Sequence, residues 1–209
     1  GDFSGAATEV GTVGDDALTG ATDRDVLIGG TGADTLVGGG GADVLYGGAG
    51  DDVLAVSDLT FARIDGGTGT DTLRLDGTGL VLDLTALDNT SLLSVERINL
   101  NGGGNRLSLS PVELFRLAEG TNTLRVLGAS GDAVELAGSD WTRGADVTDG
   151  TATFAIYTND NATVEIETDV NVSGALAVPA VELSAVEAGT GGFVINGVSA
   201  YDRSGWSVS

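Results

Sequence analysis

GTVGDDALT (Gly11–Thr19), GATDRDVLI (Gly20–Ile28), GGTGADTLV (Gly29–Val37), GGGGADVLY (Gly38–Tyr46) and GGAGDDVLA (Gly47–Ala55) follow one another without a gap. Each block ends in Asp, one residue, Leu and one residue. Position six is therefore Asp16, Asp25, Asp34, Asp43 and Asp52, and position eight is Leu18, Leu27, Leu36, Leu45 and Leu54. A sixth unit, GGTGTDTLR (Gly66–Arg74), repeats the pattern with Asp71 and Leu73 after the interruption VSDLTFARID. A recurrence of nine matches neither the 3.6-residue turn of a helix nor the two-residue alternation of a strand, and points to stacked repeats. The Gly-rich half of each block suits a tight turn and the second half a very short strand, so two blocks make one coil.

Positions eighteen residues apart then stack at the strand spacing of about 4.8 Å. That sets Asp16 over Asp34, Asp34 over Asp52, and Asp25 over Asp43. Stacked carboxylates repel or take up protons unless a cation lies between them. Calcium sits about 2.3–2.6 Å from each oxygen, so two oxygens across one ion are about 4.6–5.2 Å apart, close to that spacing; magnesium fits less well. The leucines point inward and form a narrow core.

GGTGADTLV and GGAGDDVLA resemble the RTX (repeats-in-toxin) nonapeptide GGxGxDxUx, where U is a large apolar residue. The resemblance implies an all-β fold, a right-handed parallel β-roll or β-solenoid with calcium-binding turns. In it each ion takes the carbonyls of positions two and four and the Asp of one turn, with the carbonyls of positions one and three and the Asp one coil later. One implied site is Gly30, Gly32 and Asp34 with Gly47, Ala49 and Asp52. A second is Thr12, Gly14 and Asp16 with Gly29, Thr31 and Asp34. A third is Ala21, Asp23 and Asp25 with Gly38, Gly40 and Asp43, distorted where Ala21 and Asp23 replace glycines. A fourth, Gly48, Gly50 and Asp52 with Gly66, Thr68 and Asp71, forms only if the interruption absorbs one extra residue on the opposite side of the roll. The resemblance thus implies three to four calcium ions, with Asp34 shared by two.

Around this stretch the composition narrows the function. The 209 residues carry a formal charge of −22, with no Cys, His or Met. Zinc and haem sites of the usual kinds, disulfides and Ser-His or Cys-His nucleophiles are excluded. Such acidity argues against nucleic acid and anionic membrane as partners. It also predicts that the metal-free chain repels itself and folds only as ions bind, outside the cell where calcium is near millimolar. No apolar run is long enough to span a membrane and GDFSGAATEV lacks signal-peptide features, so no membrane insertion is expected. The RTX resemblance implies type I secretion through a far C-terminal signal; none is recognisable here, and the chain is read as a piece of something longer.

Residues 1–10 read as a capping strand or linker and 11–74 as the calcium-binding roll. Over 75–172, TLRLDG, GLVLDLTAL, VERINLNG, NRLSLS, NTLRVLG and DAVELAG alternate apolar and polar residues between Gly, Asn and Asp turns. They predict a solenoid continuing without calcium into a larger-cored cap, with a β-sandwich as the competing picture. Ser110, Pro111 and Glu113 open one short helix that covers an open core edge. Strands near Ala152–Thr158 and Ala162–Thr168 form a hairpin about Asn159–Asn161. The order of these segments is similar to the module that follows RTX repeats in large bacterial adhesins and biofilm-associated proteins. SGALAVPAVELSAV reads as a linker over 173–188, and GGFVINGVSAYDRSGWSVS (189–209), with Tyr201 and Trp206, resembles the start of an FG-GAP (integrin α-type) repeat.

The carboxylates with fixed spacing are explained by calcium, and Asp58, Asp65, Asp76, Asp83 and Glu96 have no nucleophile or basic cluster beside them. No enzyme and no catalytic residue is expected. The leading reading is a calcium-dependent structural module of a large secreted bacterial surface protein, of adhesin or surface-layer type, that stiffens or spaces the parent chain. An accessory module of an extracellular enzyme, and a module joining chains, are the alternatives. Partners are calcium and other copies or neighbouring domains of the same protein.

Overall fold

The computed structural model describes residues 8–118 and 120–176. The chain divides into two compact units, Gly1–Val178 and Pro179–Ser209, and every described residue lies in the first. The FG-GAP-like stretch, with Tyr201 and Trp206, lies outside the described residues.

Over the repeats the chain forms β1 (Glu9–Val10), β2 (Ala17–Thr19), β3 (Val26–Thr31), β4 (Thr35–Val37), β5 (Val44–Ala49), β6 (Val53–Val56), β7 (Arg63–Thr68) and β8 (Thr72–Leu75). Odd strands pair in parallel as one sheet and even strands as another, so successive nonapeptides alternate between two faces of a roll. Leu18 pairs with Leu36 and Leu36 with Leu54; on the other face Leu27 pairs with Leu45. All five leucines are buried, which is why position eight holds a large apolar residue.

The interruption is absorbed where the register required. Val37 still pairs with Ala55, while Val44 pairs with Arg63, so the extra residue lies between 56 and 63. There the Asp43 carbonyl accepts from both Ala62 N (2.8 Å) and Arg63 N (3.1 Å). Downstream pairing is regular again, with Gly48 on Gly67 and Leu54 on Leu73.

Beyond Leu75 come β9 (Val81–Asp83), β10 (Leu92–Leu93), β11 (Arg97–Asn99), β12 (Arg106–Leu109), α1 (Pro111–Leu117), β13 (Thr123–Leu127), β14 (Ala133–Arg143), β15 (Val147–Asp149), β16 (Ala152–Asn159), β17 (Ala162–Glu167) and β18 (Asn171–Leu176). The parallel ladder of the even strands runs on unbroken: Leu73 pairs with Ile98, Ile98 with Val126 and Val126 with Ile166. A further ladder begins at β9, with Leu82 on Leu107, Leu107 on Val134 and Val134 on Val172. Each coil now carries an additional strand, and the core widens to take Trp141, whose indole N–H donates to the Ala137 carbonyl (3.0 Å). This is the continued solenoid and not the sandwich. β15, β16 and β17 form antiparallel hairpins at its end, with Asn159 opposite Ala162.

The helix α1 follows β12 and packs on β10, β13 and β17, covering the end of the first sheet. Pro111 opens it, and the Glu113 carboxylate reaches back to accept from the Ser110 backbone N–H (3.1 Å) and hydroxyl. Its buried side chains are Leu114 and Leu117. One expectation is corrected: residues 173–176, read as the beginning of a linker, belong to β18. Gly174 there takes φ 131 beside Leu136, and the small residues pair with β14 rather than leaving it.

Candidate metal centre

Position six turns its carboxylate into the roll, because position eight of the same short strand must also face inward. Asp25, Asp34, Asp43, Asp52 and Asp71 are buried, with Asp34 and Asp52 at 1% exposure and Asp71 at 0%. One oxygen of Asp34, Asp43, Asp52 and Asp71 is used in the same way. Oδ1 accepts from the backbone N–H of the Asp one coil earlier: Asp16 N to Asp34 (2.8 Å), Asp25 N to Asp43 (2.9 Å), Asp34 N to Asp52 (2.8 Å) and Asp52 N to Asp71 (2.9 Å). Asp71 therefore stacks as well as its predecessors, and Asp52, like Asp34, has a carboxylate on either side.

The other oxygen separates the turns into two kinds. Asp16 Oδ2 accepts from Thr12 N (2.6 Å) and Asp25 Oδ2 from Ala21 N (2.6 Å). Neither Thr12 nor Ala21 is among the positive-φ residues, and their amides face the carboxylate. Where position two is Gly30, Gly48 or Gly67, φ is 120, 120 and 103, and the amide no longer serves it. Asp34 Oδ2, Asp52 Oδ2 and Asp71 Oδ2 are then buried with no hydrogen-bond partner among the described residues. Position four divides likewise, with positive φ at Gly32, Gly41, Gly50 and Gly69 but not at Gly14 or Asp23. The turns of the first two units thus differ from the later ones, and the departure of Ala21 and Asp23 has a backbone consequence.

The free oxygens face carbonyls. A Cβ built on Gly29 would lie 2.4 Å from Gly47 O and 2.5 Å from Asp34 Oδ2; one on Gly47 would lie 2.5 Å from Gly66 O and 2.3 Å from Asp52 Oδ2. Each carboxylate oxygen is therefore no farther from the next coil's position-one carbonyl than one calcium ion spans, about 4.6–5.2 Å. Oxygen acceptors without donors, held by backbone, fit a hard divalent cation. Among the described residues no group of three or more carboxylates gathers at one point; the donors are carboxylates and carbonyls strung along a ladder.

The electrostatics agree. Burial, then the Asp52, Glu96 and Asp51 charges, push the Asp71 carboxyl up to about 7, against a lowering contribution from the Asp52 N–H. Burial likewise raises Asp52 and Asp43, with Asp34 and Asp25 adding to it respectively. At Asp43, Asp52 and Asp71, burial and neighbouring carboxylates thus disfavour the charged form, which a cation would restore.

The sequence reading missed several groups. Asp15 and Asp51, at position five, accept from Ala33 N and Thr70 N (both 2.8 Å) and staple successive turns; the Asp-Asp pairs in GTVGDDALT and GGAGDDVLA are the available signal. Under the Gly38–Gly41 turn the hydroxyls of Ser57 and Thr60 donate to the carbonyls of Gly39 and Gly41, the latter at 3.0 Å. Glu96 continues the Asp ladder, accepting from Asp71 N (2.9 Å).

The RTX calcium-binding nonapeptide repeat model, four copies long, matches residues 10–45 and again 19–54. No curated protein and no solved structure matches the chain significantly. RTX repeats bind calcium, are structural rather than catalytic, and are typical of extracellular calcium-binding proteins. Among the described residues no helix is long and apolar enough to cross a membrane.

Proposed function

With residues 10–54 carrying RTX calcium-binding repeats, we propose that this chain is a calcium-dependent structural module of a large secreted bacterial surface protein, of adhesin or surface-layer type. It folds as ions enter the ladder outside the cell, and then stiffens or spaces the parent chain. The observation that carries this reading is the set of buried, partnerless Oδ2 atoms on Asp34, Asp52 and Asp71. An acceptor left so costs about 1–3 kcal/mol, and more when charged, so the roll is incomplete without a cation.

The ions lie between Asp34 and Asp52 with the carbonyls of Gly30, Gly32, Gly47 and Ala49, and between Asp52 and Asp71 with those of Gly48, Gly50, Gly66 and Thr68. Weaker ions join Asp16 to Asp34 and Asp25 to Asp43, where Thr12 and Ala21 amides must first release the carboxylate. Calcium titration followed by circular dichroism tests the proposal. Conversion of a mostly disordered chain to a β-rich one at millimolar calcium is expected, and a fully folded chain in excess chelator would overturn it.

A further inference from the structure

The protein ends its turn stacks in different ways. Under Gly38–Gly41 the end is closed by donors: the Ser57 and Thr60 hydroxyls point at the two carbonyls that a further ion would have used. Farther along this same stack of turns, which passes from Ser57 to Gly77 and Gly103, the buried Asn105 amide donates to Gly77 O (2.9 Å) and Leu100 O (2.8 Å). In both places a hydroxyl or amide hydrogen stands where a cation would, and the acceptors are satisfied.

Below Asp71 no such donor is present among the described residues. Asp71 is fully buried and its Oδ2 has no partner. A Cβ on Gly66 would lie 2.0 Å from Ser94 O and 2.5 Å from Asp71 Oδ2, the same juxtaposition found at Gly29 and Gly47. Glu96 brings a second carboxylate to this gap, held by Asp71 N at 2.9 Å as each Asp is held by its predecessor. Only Val95 separates Ser94 from Glu96, against four residues between Gly66 and Asp71. The shorter turn borders a cleft of about 240 Å³ lined by Gly69, Thr70, Glu96, Arg97, Arg125 and Glu165, where Glu165 pairs with Arg125. Ser94 holds φ 51, a conformation a serine seldom takes, so its backbone is fixed at this point by the surrounding structure.

We propose that Asp71 Oδ2, the Ser94 carbonyl and the Glu96 carboxylate bind a further calcium ion that closes the ladder outside the nonapeptide repeats. The six to eight oxygens calcium requires are completed by water from the cleft, since the shortened turn has no position-three carbonyl to offer. Glutamate replaces aspartate here, its extra methylene spanning what the missing turn residues would have covered. The site would be hydrated and exchangeable, placed where the calcium-dependent roll meets the rest of the solenoid.

The inference rests on the calcium reading of the ladder, and the test separates the two. In a calcium-grown crystal structure of the whole chain, anomalous scattering should place ions between Asp34 and Asp52, between Asp52 and Asp71, and against Asp71 Oδ2, Ser94 O and Glu96. Ions above Asp71 but none below it overturns the terminal site alone; none anywhere in the roll overturns the calcium reading and this site with it. Ion counting at a concentration that saturates the wild type gives the second measurement. Glu96→Gln keeps an oxygen to accept from Asp71 N, so the variant should fold with an unchanged circular dichroism spectrum and bind one ion fewer. An equal count in a folded variant refutes the site, and should the variant not fold, the crystallographic result decides.

Discussion

Substituting Gly47 tests the ladder without removing any proposed ligand. Its φ is not positive, so alanine can adopt the backbone conformation; the difficulty lies in space. The new Cβ would stand 2.3 Å from Asp52 Oδ2 and 2.5 Å from Gly66 O, both far inside van der Waals contact, and the second is backbone. Overpacking of this kind costs about 1–3 kcal/mol. If folding takes up four ions, a cost of about 2 kcal/mol raises the calcium midpoint about two-fold, because each ion contributes RT ln of the concentration change. Loss of the ion between Asp52 and Asp71 would also make the transition less steep. Gly14→Ala is the control: nothing lies within 4 Å of its Cβ position and its φ is not positive, so it should be neutral or stabilising by up to about 1 kcal/mol. The repeat pattern treats both as turn glycines, whereas the geometry separates them. Calcium titrations by circular dichroism that give the two variants the same midpoint would refute the cradle.

Asp34→Asn and Asp52→Asn should each reduce calcium uptake more than Asp16→Asn, because each lies between two carboxylates in register; isothermal titration compares them, and three equal losses would contradict the ladder. Leu36→Ala removes a fully buried side chain and should destabilise the calcium-loaded protein by about 2–5 kcal/mol in chemical denaturation. The folded-state pKa of Asp71 is raised, to about 7, above that of the unfolded chain. Proton binding there favours the metal-free fold fully below the ordinary Asp range, and that contribution is lost as pH rises through 7. Chelated protein should therefore show more β structure at pH 5 than at pH 8, while calcium affinity falls over the same descent; less structure at pH 5 would contradict the assignment. Asn105→Ala leaves Gly77 O and Leu100 O without their donor and should cost about 1–3 kcal/mol at saturating calcium, read by denaturation.

The roll was legible because its chemistry is local and periodic. Asp34 and Asp52 sit at one position of identical units, so one stacking rule places them and their leucines. Stacking of Asp71 was tied only to a condition, that the interruption absorb one residue; the pairing of Val37 with Ala55 and of Val44 with Arg63 is what meets it. What escaped the reading has no period. Asn105 N donates to Asp132 Oδ1 across 27 residues and Asp71 N to Glu96 across 25, distances set by coils of unequal length. Nor does a consensus reveal that Thr12 and Ala21 bring their amides onto the carboxylate while Gly30 and Gly48 do not. That difference rests on the sign of φ, and it separates turns the pattern treats alike.

The repeats and the wider coils close their turns differently, and the difference can be traced to one chemical substitution. In the roll, stacked turns present carbonyls and carboxylates to one another, the arrangement that the proposed function fills with a cation. In the wider coils the same ladder logic persists: Leu80 N donates to Asn105 Oδ1 (2.7 Å), and Asn105 N to Asp132 Oδ1 (2.8 Å), as each Asp accepts in the repeats. Where a free Oδ2 would follow, however, Asn105 has an NH2 group, and Asp132 Oδ2 accepts from Gly102 N (2.9 Å) and Ala129 N (3.0 Å). An amide carries its own donors, so the turn closes without an ion. Both residues are fully buried, and neither would be tolerated there unpaired. Among the described residues no buried side-chain oxygen beyond Asp71 lacks a hydrogen-bond partner. The boundary between the two regimes falls at Asp71 and Glu96, where a carboxylate still faces a carboxylate and no amide intervenes.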